Sequence, residues 1–210
     1  MGAISIASRA EIFSQFLAGK TSSADKRVYA MCGIPGSGKS TYVGRALQAG
    51  HFPKNAFVLN PDNVMHALPE YRKTFDRDGA ETAFCAWELP ARKLAYDLLR
   101  HAADRGLNII IDMGCVRDED SNNILDLKKR GYQVHIYHIF CPPEIALQRI
   151  GGRERFTPED MIRQRYEALK TMVSKYHLMA HQFFMFDNSD QDQPFRKVDI
   201  NSLPDVISFN

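Results

Sequence analysis

Long apolar runs are missing from this sequence. No stretch approaches the ~20 residues of a bilayer-spanning helix, and the first charge, Arg9, comes too late to form the basic start of a secretory leader. Met1-Gly2 is the opening of a myristoylation signal, but Ile6 stands where that signal needs Ser or Thr. These absences predict a cytoplasmic protein that makes no use of a membrane. An excess of one charge sign is missing too: Lys plus Arg number 27 and Asp plus Glu 25, a net charge of +2. Charge alone therefore declares no nucleic-acid or membrane surface. Cysteine is sparse, and Cys32, Cys85, Cys115 and Cys141 form no Cys-x-x-Cys pair and have no His at zinc-ligand spacing; they read as reduced core thiols. Internal repeats and low-complexity tracts are absent.

What remains is an ordinary globular composition, 44% apolar and 25% charged over 210 residues, enough to bury a full core as one domain, 1–210. Ile12, Phe13, Phe16 and Leu17 recur at helical spacing after Ser8, a candidate cap, within an N-terminal helix and linker over 1–26. Apolar strands are predicted at 28–32, 56–59, 108–111 and 134–140. Helical segments fall at 41–49, 82–105, 119–130, 143–150 and 158–181. This alternation predicts an α/β, P-loop NTPase-type three-layer fold with a central, mainly parallel sheet. Between the last two helices, Gly151-Gly152-Arg153-Glu154-Arg155-Phe156 reads as a short Arg-bearing lid over 149–157, the competing reading being a solvated turn. Residues 183–210 form a tail in which an edge hairpin is expected.

The decisive motif is Gly33-Ile34-Pro35-Gly36-Ser37-Gly38-Lys39-Ser40, a P-loop between a predicted strand and a predicted helix. Its glycines let successive backbone N–H groups converge on phosphates, and the following helix adds the positive end of its dipole. Lys39 is expected to reach the β- and γ-phosphates of a nucleotide, Ser40 to ligate Mg²⁺, and Thr41 to cap or touch the α-phosphate. The expected ligands are thus ATP and Mg²⁺. No Asn-Lys-x-Asp guanine signature occurs, which argues against a switch GTPase, and motor ATPases need more chain.

Asp62, in Leu59-Asn60-Pro61-Asp62-Asn63, follows a predicted strand at the end where open α/β sheets bind ligands. A hydroxyl attacking a γ-phosphate needs its proton accepted, and Asp62 is the candidate base; a helix N-cap is its alternative role. Asp112 closes the strand Ile109-Ile110-Ile111 and is a candidate for holding a Mg²⁺-bound water or the Ser40 hydroxyl. Arg149 and Arg153 flank the lid and are candidates for stabilising the transferring phosphoryl group, with Arg155, Arg163 and Arg165 as nearby alternatives. Phe84 and Trp87 could stack a base or pack a core. His177 and His181 lack a third metal ligand, and His135 and His138 point to opposite faces of one strand.

Taken together, Gly33 to Thr41, Asn60-Pro61-Asp62 and the Arg149 to Tyr166 segment resemble the bacteriophage polynucleotide 5′-hydroxyl kinase family and the related zeta-toxin kinases. The zeta toxins are also similar in the spacing of Asp62, Pro69 and Tyr71 and in Arg130-Gly131-Tyr132 before a strand. The chain departs from both groups at Met65, where a basic residue follows the catalytic acid by three positions, and at Gly114, where a hydroxyl residue follows the second acid. The resemblance implies transfer of the ATP γ-phosphate to a hydroxyl. It implies as acceptor either a nucleic acid or a nucleotide-like small molecule such as UDP-N-acetylglucosamine, and hydroxymethylated-base DNA is a third acceptor for the same mechanism. A nucleotide-binding sensor that retained the loop and lost transfer is the alternative from another class, and an antitoxin partner is left open.

Overall fold

The computed structural model describes residues 3–151, 156–192 and 194–199. The four predicted strands form β1 (Arg27–Cys32), β2 (Phe57–Leu59), β3 (Ile109–Asp112) and β4 (Gln133–Phe140), followed by β5 (Gln182–Asp187) and β6 (Arg196–Val198). They make one six-stranded sheet in the order β2-β3-β1-β4-β5-β6. Its first five strands are parallel, and β6 runs antiparallel to β5. Sequence patterning reads the 183–210 region only as an edge hairpin. The structure has that hairpin, β5 and β6 pairing antiparallel with β6 at the sheet edge, and β5 in addition pairs in parallel with β4 from His135↔Gln182 to Phe140↔Asp187.

Alternation along β1 sets the layers, because successive side chains point to opposite faces. Val28, Ala30 and Cys32 join a large core with Phe57, Leu59, Ile109, Ile111, Val134 and Ile136. That face is covered by α1 (Ile6–Leu17), α3 (Pro61–Ala67), α4 (Pro69–Asp104), α5 (Asp118–Lys129), α6 (Pro143–Ile150) and α7 (Glu159–Met179). Tyr29 and Met31 face the other way, against Val43 and Ala46 of α2 (Lys39–Gln48). Rings fill the rest of that layer: Phe52 lies 4.6 Å from Tyr29 and 5.2 Å from Tyr137 between centroids. With both faces covered, β1 is apolar almost throughout, as a central parallel strand must be.

Two helix boundaries differ from the sequence reading. Ser5, not Ser8, caps α1: its hydroxyl oxygen accepts from the Ser8 N–H at 3.0 Å, and the buried Ser8 hydroxyl donates instead to Glu70 at 2.8 Å. The helical stretch of α4 begins at Pro69 and is broken at Gly79, where φ is 83°, a conformation that favours glycine. Among the described residues no helix is long and apolar enough to cross a membrane.

Register decides what meets at the sheet's carboxyl edge. Met31 pairs with Asp112 and Leu59 with Ile111, so the chain leaving β1 at Gly33, β2 at Asn60 and β3 at Asp112 converges on one line. Ligands bind at this edge in open α/β sheets.

Candidate phosphate-transfer site

The turn after β1 is shaped by close approach. A Cβ on Gly36 would lie 2.6 Å from the Ala146 carbonyl oxygen, and one on Gly38 2.4 Å from the Asn188 amide nitrogen; both residues have positive φ, 84° and 97°. Only glycine fits these positions, and the packing that forbids a side chain also holds the turn closed. Gly38 supplies no side-chain cap to α2. The first N–H groups of that helix therefore have no side-chain acceptor and, with the dipole, favour an anion.

Lys39 opens α2 and reaches back across the turn, its ammonium donating to the Ile34 carbonyl at 2.8 Å. Burial lowers its pKa to about 8, against Asp112 and Asp62, whose carboxylates favour the charged form, while Arg165 adds to the lowering. Behind the loop, His138 is buried and stays neutral: burial and then Lys39 push its pKa to about 4.

One side chain joins the neighbouring strands. Asn60, itself buried, donates from Nδ2 to Asp112 Oδ2 at 2.9 Å, and its Oδ1 accepts from the Asp62 N–H at 3.0 Å. Asn60 is thus the N-cap of α3, and Asp62 sits one position inside the helix with its carboxylate not used as the cap. The other oxygen of Asp112, Oδ1, is buried without a hydrogen-bond partner. An orphan carboxylate oxygen beside the phosphate turn suits a hydrated cation, and the Ser40 hydroxyl at the start of α2 is a second oxygen donor. Among the described residues no group of three His, Cys, Asp or Glu could hold a metal by itself, so a cation here would need phosphate oxygens and water.

Across from the turn, α4, α5 and α7 bring arginines to one carboxylate. Glu88 accepts from Arg92 at 2.7 and 3.0 Å and from Arg117 at 3.5 Å, and lies 4.0 Å from Arg165. Burial opposes the charge on Arg92, but the adjacent Glu88 carboxylate outweighs it and holds the pKa above the usual guanidinium range. Arg165 is pulled down to about 10 by burial and then by Arg92, with Glu88 and Asp62 opposing. Three guanidiniums around one carboxylate make this an arginine-rich corner, with Asp62 also acting on Arg165 and Asp120 on Arg92. It borders a cleft of about 110 Å³ that is also lined by Gly36, Lys39, Ser40, Asp62, Asp112, Glu88, Arg92 and Arg165.

The structure therefore brings Lys39, Ser40, Asp62 and Asp112 together. Arg149, at the end of α6, donates to Cys141 Sγ at 3.5 Å and lines a separate groove beyond the P-loop, away from Asp62. Arg153 and Arg155 lie outside the described residues. Arg163 is exposed and pairs with Glu144 and Glu159. Trp87 is buried and donates to Thr74 at 2.9 Å, which makes it a core residue, whereas Phe84 is buried at the wall of the cleft. Met65 is buried in the core; the positive charges that approach Asp62 are Lys39 and, from α7, Arg165. Glu88, Arg92 and Arg117 escape sequence reasoning because their partnership crosses 29 positions; only the i, i+4 spacing of Glu88 and Arg92 carried a signal.

Residues 14–198 match the zeta toxin family. This chain belongs to that family. No curated protein matches the sequence significantly. Among solved structures, the fold is similar to that of a protein from the PezAT chromosomal toxin–antitoxin system of Streptococcus pneumoniae, with a TM-score of 0.69, 16% identity, and coverage of 88% of this chain and 78% of that one. It is also similar to the AvrRxo1-ORF1:AvrRxo1-ORF2 structure with ATP, with a TM-score of 0.59 and 15% identity over 91% of this chain and 62% of that one. This zeta-toxin-family chain thus has a P-loop kinase fold and spans about three fifths of the second neighbour's length. The polynucleotide-kinase side of the resemblance rests on the sequence motifs alone.

Proposed function

We propose that this protein is an ATP-dependent kinase that transfers the γ-phosphoryl group to a hydroxyl of a nucleic-acid or nucleotide-like acceptor. One observation carries the reading: the phosphate-cradling turn, the Asp62 carboxylate and the arginines of α4 and α7 line a single cleft. The acceptor oxygen attacks the γ-phosphorus, the bond to the β,γ-bridging oxygen breaks, ADP leaves, and Asp62 takes the hydroxyl proton. Lys39 and the N–H groups at the start of α2 hold the phosphates. Asn60 orients Asp112 and fixes the helix start that carries Asp62. Ser40 and Asp112 would hold Mg²⁺, which when bound neutralises phosphate charge. Arg165, Arg92 and Arg117 favour an acceptor that bears phosphate. The near-neutral net charge of +2 fits a small acceptor at least as well as a long nucleic acid. The pneumococcal relative's toxin–antitoxin system makes a protein partner a further part of this proposal.

The test is incubation with γ-labelled ATP and, separately, a 5′-hydroxyl oligonucleotide, UDP-N-acetylglucosamine and a hydroxymethylated-base DNA. Label is expected on the nucleotide sugar. Label on the oligonucleotide instead would move the acceptor to nucleic acid, and no transfer to any of the three would favour the sensor.

Lys39 supplies a pH test. ATP favours the ammonium, so binding should raise a pKa that starts near 8 and take up protons above neutrality. At pH 9 about nine-tenths of Lys39 in the free protein is neutral, and ATP affinity should fall by up to about tenfold per pH unit above 8. Calorimetry at pH 8.5 in two buffers of different ionisation enthalpy reads this directly. Heats that do not depend on the buffer would contradict it.

A further inference from the structure

The loop between β3 and α5 brings Asp112 into the cleft at one end and Arg117 to the arginine corner at the other. Its path is strained. Cys115, buried within it, has φ 53°, left-handed backbone that a residue with a side chain adopts only where its surroundings impose it. Three hydrogen bonds impose it here: Asn60 holds Asp112, the Gly33 N–H donates to the Gly114 carbonyl at 3.1 Å, and the Arg117 N–H donates to Asp120 Oδ2 at 3.1 Å. The first two come from the strands on either side. The third comes from α5.

Asp120 stands in the first turn of α5, where an acid reaching back to the N–H of the capping residue is an ordinary helix start. Such a cap uses one carboxylate oxygen. Asp120 is 3% exposed, and its second oxygen, Oδ1, accepts from the Tyr96 hydroxyl of α4 at 2.6 Å. Burying a carboxylate is costly unless its oxygens are paired, and here both are. Burial and then Asp120 hold the Tyr96 pKa above the ordinary phenol range, so the hydroxyl keeps its proton and remains the donor. Tyr96 is itself buried and lies one helical turn after Arg92, whose charge acts on it. A closed circuit results, from Tyr96 to Asp120, to the Arg117 main chain, through the Arg117 guanidinium to Glu88, and by Arg92 back to Tyr96. Fully paired buried networks rigidify the groups they join. Glu88 and Arg92 line the cleft, whereas Tyr96 and Asp120 stand behind them.

We propose that Asp120 and Tyr96 are positioning residues for the acceptor: they hold the β3–α5 loop so that the Arg117 guanidinium stands beside Glu88, where an acceptor phosphate meets it. The proposal rests on the reading that this cleft phosphorylates a phosphate-bearing acceptor. Neither residue touches the substrate, so their effect is on acceptor binding and passes through one side chain.

A double-mutant cycle in steady-state transfer from γ-labelled ATP tests this, the acceptor being whichever of the oligonucleotide, UDP-N-acetylglucosamine and the hydroxymethylated-base DNA takes label from wild type. Tyr96→Phe removes one oxygen and keeps the ring. It should raise the acceptor KM about tenfold and leave kcat and the ATP KM within about twofold, the pattern of lost uniform binding. Arg117→Ala keeps the main-chain N–H that Asp120 accepts, and should raise the acceptor KM at least as much. In the double variant Tyr96→Phe should add less than about twofold, because the side chain that it positions is gone. Asp120→Asn, whose amide can accept from the Arg117 N–H and donate to the Tyr96 oxygen, should stay within about threefold of wild type. The positioning role is overturned alone if Tyr96→Phe leaves the acceptor KM unchanged, if its effect persists in full beside Arg117→Ala, if the ATP KM rises in parallel, or if Asp120→Asn loses as much as Tyr96→Phe. If wild type labels none of the three acceptors, the transfer reading fails and this proposal fails with it.

Discussion

Asp62→Asn is expected to bind ATP at least as well as wild type while phosphoryl transfer falls by about 10³-fold, within the range of a lost general base. The two halves of this result have separate causes. Asp62 lies close enough to Lys39 and Arg165 to act on the charge of both. Removing its negative charge leaves the anion cradle more positive, so donor affinity should hold or rise. The amide cannot accept the acceptor's proton. The fold should tolerate the change, because the helix start depends on the Asn60 side chain rather than on the Asp62 carboxylate. Single-turnover transfer from labelled ATP, run beside ATP calorimetry, checks both halves. A rate loss smaller than about tenfold would take Asp62 out of the base role.

The second large effect is on stability. Glu88→Gln should destabilise the folded protein by about 3–5 kcal/mol, because Arg92 and Glu88 form a buried pair with side-chain exposures of 10% and 12%, and the variant leaves the guanidinium without its ion-pair partner. For a chain of this length that is a fall in Tm of roughly 10 °C. Arg117 and Arg165 lose the same carboxylate. Three guanidiniums without the Glu88 carboxylate should then bind a small anion more tightly, so pyrophosphate should raise the variant's Tm by more than it raises that of wild type. Thermal unfolding with and without pyrophosphate measures both. A Tm within a degree or two of wild type would contradict the stabilising role of the buried pair, and an equal response to pyrophosphate would mean that the corner is a structural network rather than an acceptor site.

Legibility in the sequence followed locality. The strand–turn–helix order around Gly33 to Ser40 could be read because strand pattern, turn glycines and helix start lie within one short window. Asp62 and Asp112 could be read because the first follows and the second closes an apolar strand, and strand ends face the ligand side of a parallel sheet. β5 was harder: Gln182–Asp187 has the composition of a strand that folds back onto β6, but nothing local shows that it also extends β4 in parallel. The groups around Glu88 come from three helices, and Arg149 parts from Asp62 only because the P-loop lies between them.

By itself, then, the chain order of residues determined an α/β sheet, a phosphate-binding turn and two acids at strand ends, since each depends on near neighbours and on side-chain alternation. Tertiary structure decided which side chains share a cavity: Asn60 linking two strands and the arginines converging on Glu88. The physical reason is that a hydrogen bond or an ion pair acts over a few ångströms of space, and the distance along the chain does not enter it.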